Sequence, residues 1–405
     1  MLMKGWRSAL IYAATLLLAS LPAVAGGRAP LRPAHNYEVH EITLDGAGCR
    51  VQAIQRGQAV GWCRTPDAAA VRAFIWTEAT GTVDIGTLGG SGASASAIDK
   101  GRVVGSSDIS GDTEVHAFAW TRESDMLDLG TLGGTFIGPN SVSGNNVVGD
   151  ASTSSGEIHA FLWTEMAGIV DLGTLEFGTE SSARQIHGDL IAGWSTVSVP
   201  GRRPVAWRST GEIIDLLGEP IVQDGVFVRG DGQAQAVRKG LVVGYRRIAT
   251  TEESRAFAWR DGQGLIDMGV VAGSNESFAF DTDGIWAVGQ LSGVGGPLGS
   301  TTRAFVWSES KGMRAITPAT ITAWATHVRN GRVVGVFHTP ETNGSRTFLW
   351  TRKTGLADVT PRSFPGGFVP AGIDGDGRIA IVYEDEDPLN VRSVILVPRR
   401  LHWRK

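Results

Sequence analysis

The sequence predicts an all-β fold built from repeated units of four short antiparallel strands. The main observation is a phrase that recurs eight times: small residues, then Val-Val-Gly, then a basic residue before Phe-x-Trp, then Asp-Leu-Gly-Thr-Leu. The second is its spacing, 44 residues three times and 45 to 51 afterwards. Repetition at this period indicates a stack of supersecondary units. The last position of the Val-Val-Gly element is held by Gly61, Gly105, Gly149, Gly193, Gly244, Gly289, Gly335 and, in a degenerate last copy, Ile381.

The second copy illustrates how one unit divides into strands. Residues 94–98 alternate small and apolar side chains, and a turn at 99–101 leads into the β-branched residues 102–106. Residues 116–120 place His116, Phe118 and Trp120 on one face, because strand side chains alternate. Residues 126–130 form the fourth strand. Four short strands per repeat are typical of a β-propeller blade, and no window has the 3.6-residue period of a helical solenoid.

A constant interval links the third and fourth strands of the unit. Trp120 precedes Asp128 by eight residues, and the same interval recurs in most copies. A hairpin loop of four or five residues would bring these positions opposite each other. We therefore expect the Asp to accept the indole N–H or to cap the turn, both of which are structural roles.

The two ends of the chain indicate how the ring closes. Residues 41–46 match the fourth strand of a repeat, whereas the last copy supplies strands one to three, around 373, 379 and 394–396, and then ends. Joining these fragments into one blade removes the exposed edges of an open array. The prediction is an eight-bladed propeller closed by an N-terminal strand in the C-terminal blade, with seven blades as the alternative.

The first 25 residues have the features of a secretory signal peptide. Lys4 and Arg7 precede an apolar run over 9–21, and Ala23-Val24-Ala25 supplies a cleavage pattern. The run is shorter than the roughly 20 apolar residues that a spanning helix needs. The predicted organisation is a signal peptide at 1–25, a linker at 26–36, the propeller at 37–398 and a basic tail at 399–405. We expect a secreted or periplasmic protein with no membrane span after cleavage.

Composition restricts the partners and the redox environment. Gly makes up about 14% of the chain, twice the usual ~7%, as expected where tight turns join many strands. A formal net charge of -4 argues against a nucleic-acid partner. Cys49 and Cys63 flank the turn at 56–57 almost symmetrically, so we predict that they form a disulfide in an oxidising compartment. The alternative is two separately packed thiols.

Several phrases resemble a known family of bacterial extracellular repeats. These phrases are His-Ala-Phe at 116–118 and 159–161, Asp-Leu-Gly-Thr-Leu-Gly-Gly at 128–134 and Gly-Arg-Val-Val-Gly at 101–105. They are similar to the HAF repeats, named after the His-Ala-Phe signature, and more distantly to kelch-type blades. The resemblance covers nearly the whole mature chain and implies an exported repeat protein. It transfers no catalytic residue.

Length variation indicates which face of the propeller carries the ligand. We call the side with the loops between strands one and two and between strands three and four the turn face. The opposite side, with the loops between strands two and three and the connections to the next blade, is the crossing face. Turn-face loops are short, whereas the crossing face has long segments at 290–304 and 218–232. Variable loops on a rigid scaffold commonly carry binding sites, so we expect the ligand there.

Two sets of side chains are candidates for ligand binding. Directly after Val-Val-Gly, Trp62, Trp194 and Tyr245 offer flat aromatic surfaces for a sugar or peptide. The first strand, predicted to be innermost, contributes further polar side chains: Gln52, Asn140, Arg184 and Gln235, together with His327. An ordinary position at the edge of the core is the competing interpretation for each.

Other motifs have structural explanations. A basic residue two positions before each Phe forms a predicted ring of cations that suits an anionic ligand, although repetition in every blade favours a scaffold role. Residues 281–284 and 374–377 resemble the start of a calcium loop but lack its later ligands. We therefore predict no metal site, no cofactor and no catalytic residues.

The function that the sequence favours is a binding module. We expect a monomer that binds an extracellular polysaccharide or a partner protein on its crossing face. Two alternatives remain open. One is a lyase or hydrolase acting at the central funnel with Arg184, His327 and a neighbouring acid. The other is a purely structural surface protein.

Overall fold

The computed structural model describes residues 32–33, 36–65, 67, 70–197, 201–218, 222–223, 226–227, 231–248, 250–296, 299–338, 344–361, 367–383 and 391–399. These residues form only strands and connections. No helix in them is long and apolar enough to cross a membrane. The predicted signal peptide, most of the linker and the end of the basic tail lie outside the described residues.

The chain folds into an eight-bladed β-propeller of four-stranded antiparallel blades, as predicted. In blades 1 to 7 the four strands are hydrogen-bonded in chain order, whereas blade 8 takes its outer strand from the N-terminal part of the chain. The first strands of successive blades neighbour each other around the ring. The first strand of blade 8 lies beside that of blade 1, so the ring is closed. Seven blades, the alternative, is therefore wrong.

Each of the first four blades consists of four strands, from the innermost to the outermost. Blade 1 contains Ala47–Gln55, Gln58–Arg64, Val71–Thr77 and Gly81–Asp84, and blade 2 contains Gly89–Asp99, Arg102–Ile109, Val115–Thr121 and Ser124–Gly130. Blade 3 contains Gly133–Ser143, Asn146–Thr153, Ile158–Thr164 and Gly168–Asp171, and blade 4 contains Ser181–His187, Leu190–Thr196, Arg202–Arg208 and Ile213–Asp215.

The remaining blades follow the same order. They are Gly232–Arg238, Leu241–Arg247, Ser254–Arg260 and Gly264–Asp267 in blade 5; Glu276–Thr282, Ala287–Gly296, Gly299–Ser308 and Gly312–Ala315 in blade 6; Thr322–Arg329, Arg332–His338, Arg346–Thr351 and Gly355–Asp358 in blade 7; Phe368–Ile373, Ile379–Tyr383, Arg392–Pro398 and then Tyr37–Glu41 in blade 8. Arg32–Pro33 adds a short parallel strand to blade 7, and Val222–Gln223 pairs with Val226–Phe227 in the connection between blades 4 and 5.

An N-terminal strand closes the ring, but it lies earlier than the sequence indicated. Tyr37–Glu41 pairs with Arg392–Pro398, and Ile42 N–H donates to the Ser393 carbonyl at 2.9 Å. The predicted strand at 41–46 is therefore wrong in its bounds. Asp45 and Gly46 both adopt positive φ and turn the chain back, so Thr43–Leu44 pairs with the start of blade 1 instead.

A β-bulge recurs at one position in every first strand. The bulged residues are Gln52, Ser96, Asn140, Arg184, Gln235, Phe280, Thr326 and Ala371. The residue before each bulge pairs with the last residue of Val-Val-Gly, as Pro139 does with Gly149. A Cβ on Gly149 would overlap the Gly138 carbonyl oxygen, and an equivalent overlap occurs in the other blades that have this glycine. The close approach of the two strands therefore explains the repeated glycine.

The hydrophobic core lies between successive blades rather than inside one of them. The Phe of the His-Ala-Phe motif is fully buried in blades 2 and 3, as Phe118 and Phe161. Phe118 packs with Val60 and Ile75 of the preceding blade. Since each blade buries its face only against a neighbour, the fold needs the closed ring.

Cys49 and Cys63 lie directly opposite each other on the first two strands of blade 1 and form a disulfide. Both are fully buried and pack with Ile42 and Ile395 at the junction of blades 8 and 1. The bond therefore links strands next to the place where the ring closes.

We predict that Gly149→Ala destabilises the protein by about 3 kcal/mol, because the added methyl group forces the first two strands of blade 3 apart. Gly375→Ala is the control, since its added Cβ meets only the end of the Asn330 side chain, at 3.3 Å. Urea unfolding of both variants measures the effect. Equal stability of the two variants would contradict the role assigned to the bulge.

We also predict that a mature chain lacking residues 26–41 aggregates or loses several kcal/mol of stability, because blade 8 then lacks its outer strand. The control lacks only residues 26–34 and retains Tyr37–Glu41. Thermal unfolding and size-exclusion chromatography compare the two. An unchanged melting temperature for the longer deletion would show that this strand does not hold the ring closed.

Candidate functional site

On the turn face, one type of hydrogen bond joins neighbouring blades. A side chain three residues beyond the bulge accepts a backbone N–H from the next blade; Gln55 Oε1 accepts from Lys100 N at 2.8 Å. The same contact occurs for Asp99 with Gly144, Ser143 with Gly188, His187 with Lys239, Asp283 with Gly331, and Asp374 with Gly57. These polar side chains therefore belong to the scaffold.

The segments that resemble calcium loops take part in these contacts. The Asp374 carboxylate accepts backbone N–H groups from Gly57, Asp376 and Arg378. Asp281 Oδ2 accepts from Val328 N at 2.9 Å and from Arg329 Nη1 at 2.6 Å. Among the described residues, no group of three or more His, Cys, Asp or Glu side chains could hold a metal ion. The geometry thus gives both motifs a structural explanation.

Charged side chains of blades 2, 5, 6 and 7 interact electrostatically at the turn-face ends of the first strands. Burial and Arg329 lower the pKa of Arg238 in blade 5, while Asp281 and Asp99 oppose this shift. Asp99 belongs to blade 2, so the interaction spans the ring.

The basic residues two positions before each Phe pair with the Asp of the fourth strand in five blades. The ion pairs are Arg72–Asp84, Arg203–Asp215 and Arg346–Asp358, and His116 and His159 form hydrogen bonds with Asp128 and Asp171. In blade 5, Arg255 pairs instead with Glu253. The cation ring is thus largely neutralised within individual blades, which supports its scaffold role over that of an anion site.

The same Asp residues cap the turns that follow them, as Asp128 Oδ1 does by accepting from Gly130 N at 2.7 Å. The alternative, a hydrogen bond from the Trp indole, is wrong. The hairpin register places Asp84 opposite Phe74 rather than Trp76. The indole N–H of Trp207, the Trp of this motif in blade 4, donates instead to the Leu172 carbonyl of the preceding blade.

The polar residues predicted on the first strand occupy the bulges. Gln52 and Asn140 are exposed, and Arg184 and Gln235 are half-buried. Asn140 Nδ2 donates to the Ala183 carbonyl of the next blade at 2.9 Å. All four lie on innermost strands, on blades 1, 3, 4 and 5. Asn140 and Arg184, on adjacent blades, are brought together around Asp150.

His327 lies one residue beyond the bulge of blade 7 and belongs to a different cluster. Its Nδ1 is 3.0 Å from the Thr326 hydroxyl. Burial lowers the pKa of His327 to about 4, with smaller and opposing effects from Asp281 and Arg329. Arg184 and His327 lie on the first strands of blades 4 and 7.

Asp150, which was not among the predicted site residues, lies at the centre of a polar cluster. It directly follows the Val-Val-Gly of blade 3, and its Oδ1 accepts from Ala183 N at 3.1 Å. Burial raises the pKa of Asp150 to about 6, whereas Ser182, Arg184 and Asn140 act in the opposite direction. The sequence signal that could have identified Asp150 is a carboxylate at the irregular position directly after the repeated glycine.

The predicted aromatic residues differ in accessibility. Trp194 is only 6% exposed, because the Arg202 guanidinium lies 3.9 Å from its ring centroid. The prediction that Trp194 offers a stacking surface is therefore wrong. Trp62 is half-buried and lies on blade 1, whereas Trp194 and Tyr245 lie on blades 4 and 5. The Arg64 guanidinium is 5.8 Å from the Trp62 ring centroid.

Tyr245 lines an open cleft of about 810 Å³ on the crossing face of blades 4, 5 and 6. Its hydroxyl accepts from Gln233 Nε2 at 2.6 Å, and its ring meets the edge of Phe278 at 5.0 Å between centroids. The other lining residues are Thr196, Gly201, Arg202, Asp231, Gly232, Gln233, Arg247, Glu252, Ser254 and Glu276. The lining thus includes Asp231 and Gly232, which end the long connection, on the face that loop length indicated.

The cleft walls are held by internal ion pairs. Arg247 lies 3.8 Å from Asp231 and 3.3 Å from Glu252, measured between nitrogen and carboxylate oxygen. Glu276 Oε1 accepts from Ser254 N at 3.2 Å, which joins blade 6 to blade 5. These contacts fix polar side chains around Tyr245 and leave little unbalanced charge.

Comparison with known proteins establishes the fold and no family. No protein-family model matches the sequence, and no curated protein sequence matches it. The assignment to the HAF repeats therefore stays a prediction from the motif.

Solved structures similar to this chain include a prolyl endopeptidase, with 11% identity, a TM-score of 0.50, and coverage of 84% of this chain and 55% of that one. A post-proline cleaving enzyme from Rickettsia typhi has 10% identity, a TM-score of 0.49, and coverage of 84% and 57%. Puromycin hydrolase has 14% identity, a TM-score of 0.46, and coverage of 85% and 59%. This chain thus matches somewhat more than half of each of these chains, and at such low identity the likeness concerns the fold alone.

We predict that Asp150→Asn removes a pH dependence of stability. The pKa of Asp150 is about 6 in the folded state against 3.8 unfolded, so the folded protein binds the extra proton between these values. Folding stability conferred by this group is greatest below pH 4 and falls as the pH rises through 6, by up to about 3 kcal/mol. Urea unfolding from pH 4 to pH 7 should show the variant gaining stability relative to the wild type. A constant difference across that range would contradict the burial of Asp150.

Proposed function

We propose that this protein is an exported, monomeric propeller of the HAF-repeat type that binds a ligand on its crossing face. The observation that carries the proposal is the cleft around Tyr245. It lies on the face with variable loops, and its lining comes from residues outside the repeated phrase, including Arg202, Asp231 and Glu252. The repeated polar residues, in contrast, are engaged in ion pairs and turn caps within the blades.

The proposed location rests on the sequence of residues 1–25 and is supported by the disulfide between Cys49 and Cys63. Disulfides persist in secreted and periplasmic proteins and are rare in the cytosol. The near-neutral charge of the chain supports a ligand other than nucleic acid. We therefore propose an extracellular polymer or a partner protein as the ligand.

The enzymatic alternative has one observation in its favour, namely Asp150. A buried carboxylate with a raised pKa beside a guanidinium is a feature of many active sites, although structural clusters perturb pKa values as well. The version of this alternative that uses Arg184 together with His327 is weakened, because the two residues lie on blades 4 and 7 in separate clusters. Binding at the cleft remains the better supported role.

A screen of glycans, peptides and proteins tests the proposed function. Any ligand found should bind at least tenfold more weakly to Tyr245→Ala/Arg247→Ala, since both side chains line the cleft. The matched control is Tyr383→Ala/Lys353→Ala, which removes a tyrosine packed on Phe368 and an exposed lysine elsewhere on the ring. Calorimetry measures the affinities. A ligand that loses affinity equally for both variants would contradict a site in the cleft.

A further inference from the structure

The cleft contains a buried amide with an unused hydrogen-bonding atom. Gln233 lines the cleft, although the residue is only 8% exposed. Its Nε2 donates to the Tyr245 hydroxyl at 2.6 Å, while its Oε1 has no hydrogen-bond partner. Rotating the amide by half a turn would exchange the roles of oxygen and nitrogen, so one polar atom lacks a partner in either orientation. Such an atom is costly to bury unless something binds to it.

A second unpartnered group lies on a residue that packs against the lining residue Arg202. The indole Nε1 of Trp194 is buried and has no acceptor. Trp194 is covered by Arg202, which itself lines the cleft. Trp194 belongs to the second strand of blade 4 and Gln233 to the first strand of blade 5, and these two strands are neighbours. Unused hydrogen-bonding capacity is therefore present on two of the three blades that line the cleft.

The charges of the cleft argue against a strongly ionic ligand. Five side chains in its lining are charged: Arg202, Arg247, Asp231, Glu252 and Glu276. Arg247 already forms ion pairs with Asp231 and Glu252, and Arg202 lies over the Trp194 ring. A polyanion needs cations that are open to it, and a polycation needs open carboxylates. Side chains arranged in this way instead suit hydroxyl groups, which donate and accept hydrogen bonds without charge.

From these observations we propose that the cleft binds a neutral oligosaccharide, with Gln233 and Tyr245 as specificity-determining residues. This inference rests on the proposed function and names its ligand class. A sugar hydroxyl donates to Gln233 Oε1, and the Tyr245 hydroxyl, which already accepts from Gln233, donates its own proton to a second sugar oxygen. The exposed part of the Tyr245 ring contacts the apolar face of the sugar. A volume of about 810 Å³ fits a few sugar units.

The test uses the mature full chain and a panel of neutral pentasaccharides: cellopentaose, maltopentaose, xylopentaose and chitopentaose. Calorimetry should detect binding of at least one. Gln233→Met retains the side-chain length but removes both amide atoms, and Tyr245→Phe removes only the hydroxyl. Each variant should weaken binding about tenfold.

Gln58→Met and Tyr383→Phe are the matched controls, because both residues lie outside the cleft. They should bind as the wild type does, and melting temperatures within about 2 °C of the wild type would show that all four variants fold.

Three outcomes would overturn the proposal. If the bound pentasaccharide has the same affinity for Gln233→Met and Tyr245→Phe as for the controls, the two residues do not determine specificity. If no pentasaccharide binds but a peptide or an anionic polymer does, and Tyr245→Ala abolishes that binding, the ligand class is wrong although the proposed function stands. If nothing in either screen binds, both the ligand class and the proposed function are wrong.

Discussion

The close approach of the first and second strands at the bulges of blades 1 to 7 is the constraint on which the rest of the molecule depends. In blade 3 the extra residue Asn140 shifts the first strand so that the Gly138 carbonyl lies against Gly149, where a side chain would not fit. A bulge bends and twists its strand. Repeated at one position in every blade, it gives the inner strands the same shape, and identical blades can then neighbour each other around the ring.

The bulge also separates the roles of the residues on either side of it. Towards the turn face, side chains such as Gln55 and Asp99 bond to the backbone of the next blade and hold the ring together. Towards the crossing face, the paired positions differ from blade to blade: Ser182 with Trp194, Gln233 with Tyr245, Phe278 with Gln290. Repeated residues therefore stabilise the scaffold, whereas the varied residues form the cleft and leave the Gln233 amide partly unsatisfied.

The sequence allowed the fold to be predicted well because the repeated phrase carries both the strand alternation and the turns. The predicted strands at 94–98 and 102–106 fall within Gly89–Asp99 and Arg102–Ile109. Errors arose where one residue changes the register. Asp45 and Gly46 reverse the chain before the predicted closing strand can continue, and the third hairpin places Phe74 rather than Trp76 opposite Asp84.

The candidate site was only partly predictable, because it depends on contacts between blades. Tyr245, a candidate from its irregular position, lines the cleft, but Trp194 at the equivalent position is covered by Arg202 from the next strand of its blade. No pattern in the local sequence indicates that Arg202 covers Trp194. Glu276 and Ser254 come together only because blades 5 and 6 are neighbours. Gln233 was missed because it precedes the bulge by two residues, and the bulge itself has no signature in a single strand.

Hydrogen–deuterium exchange with and without a saturating neutral pentasaccharide tests most directly whether the varied residues of blades 4 to 6 form the binding site. We expect slower amide exchange on ligand binding in peptides covering 194–202, 231–247 and 252–276. Exchange in the equivalent peptides of blades 1, 2 and 8 should be unchanged. Protection confined to the turn face, or distributed evenly around the ring, would contradict this expectation.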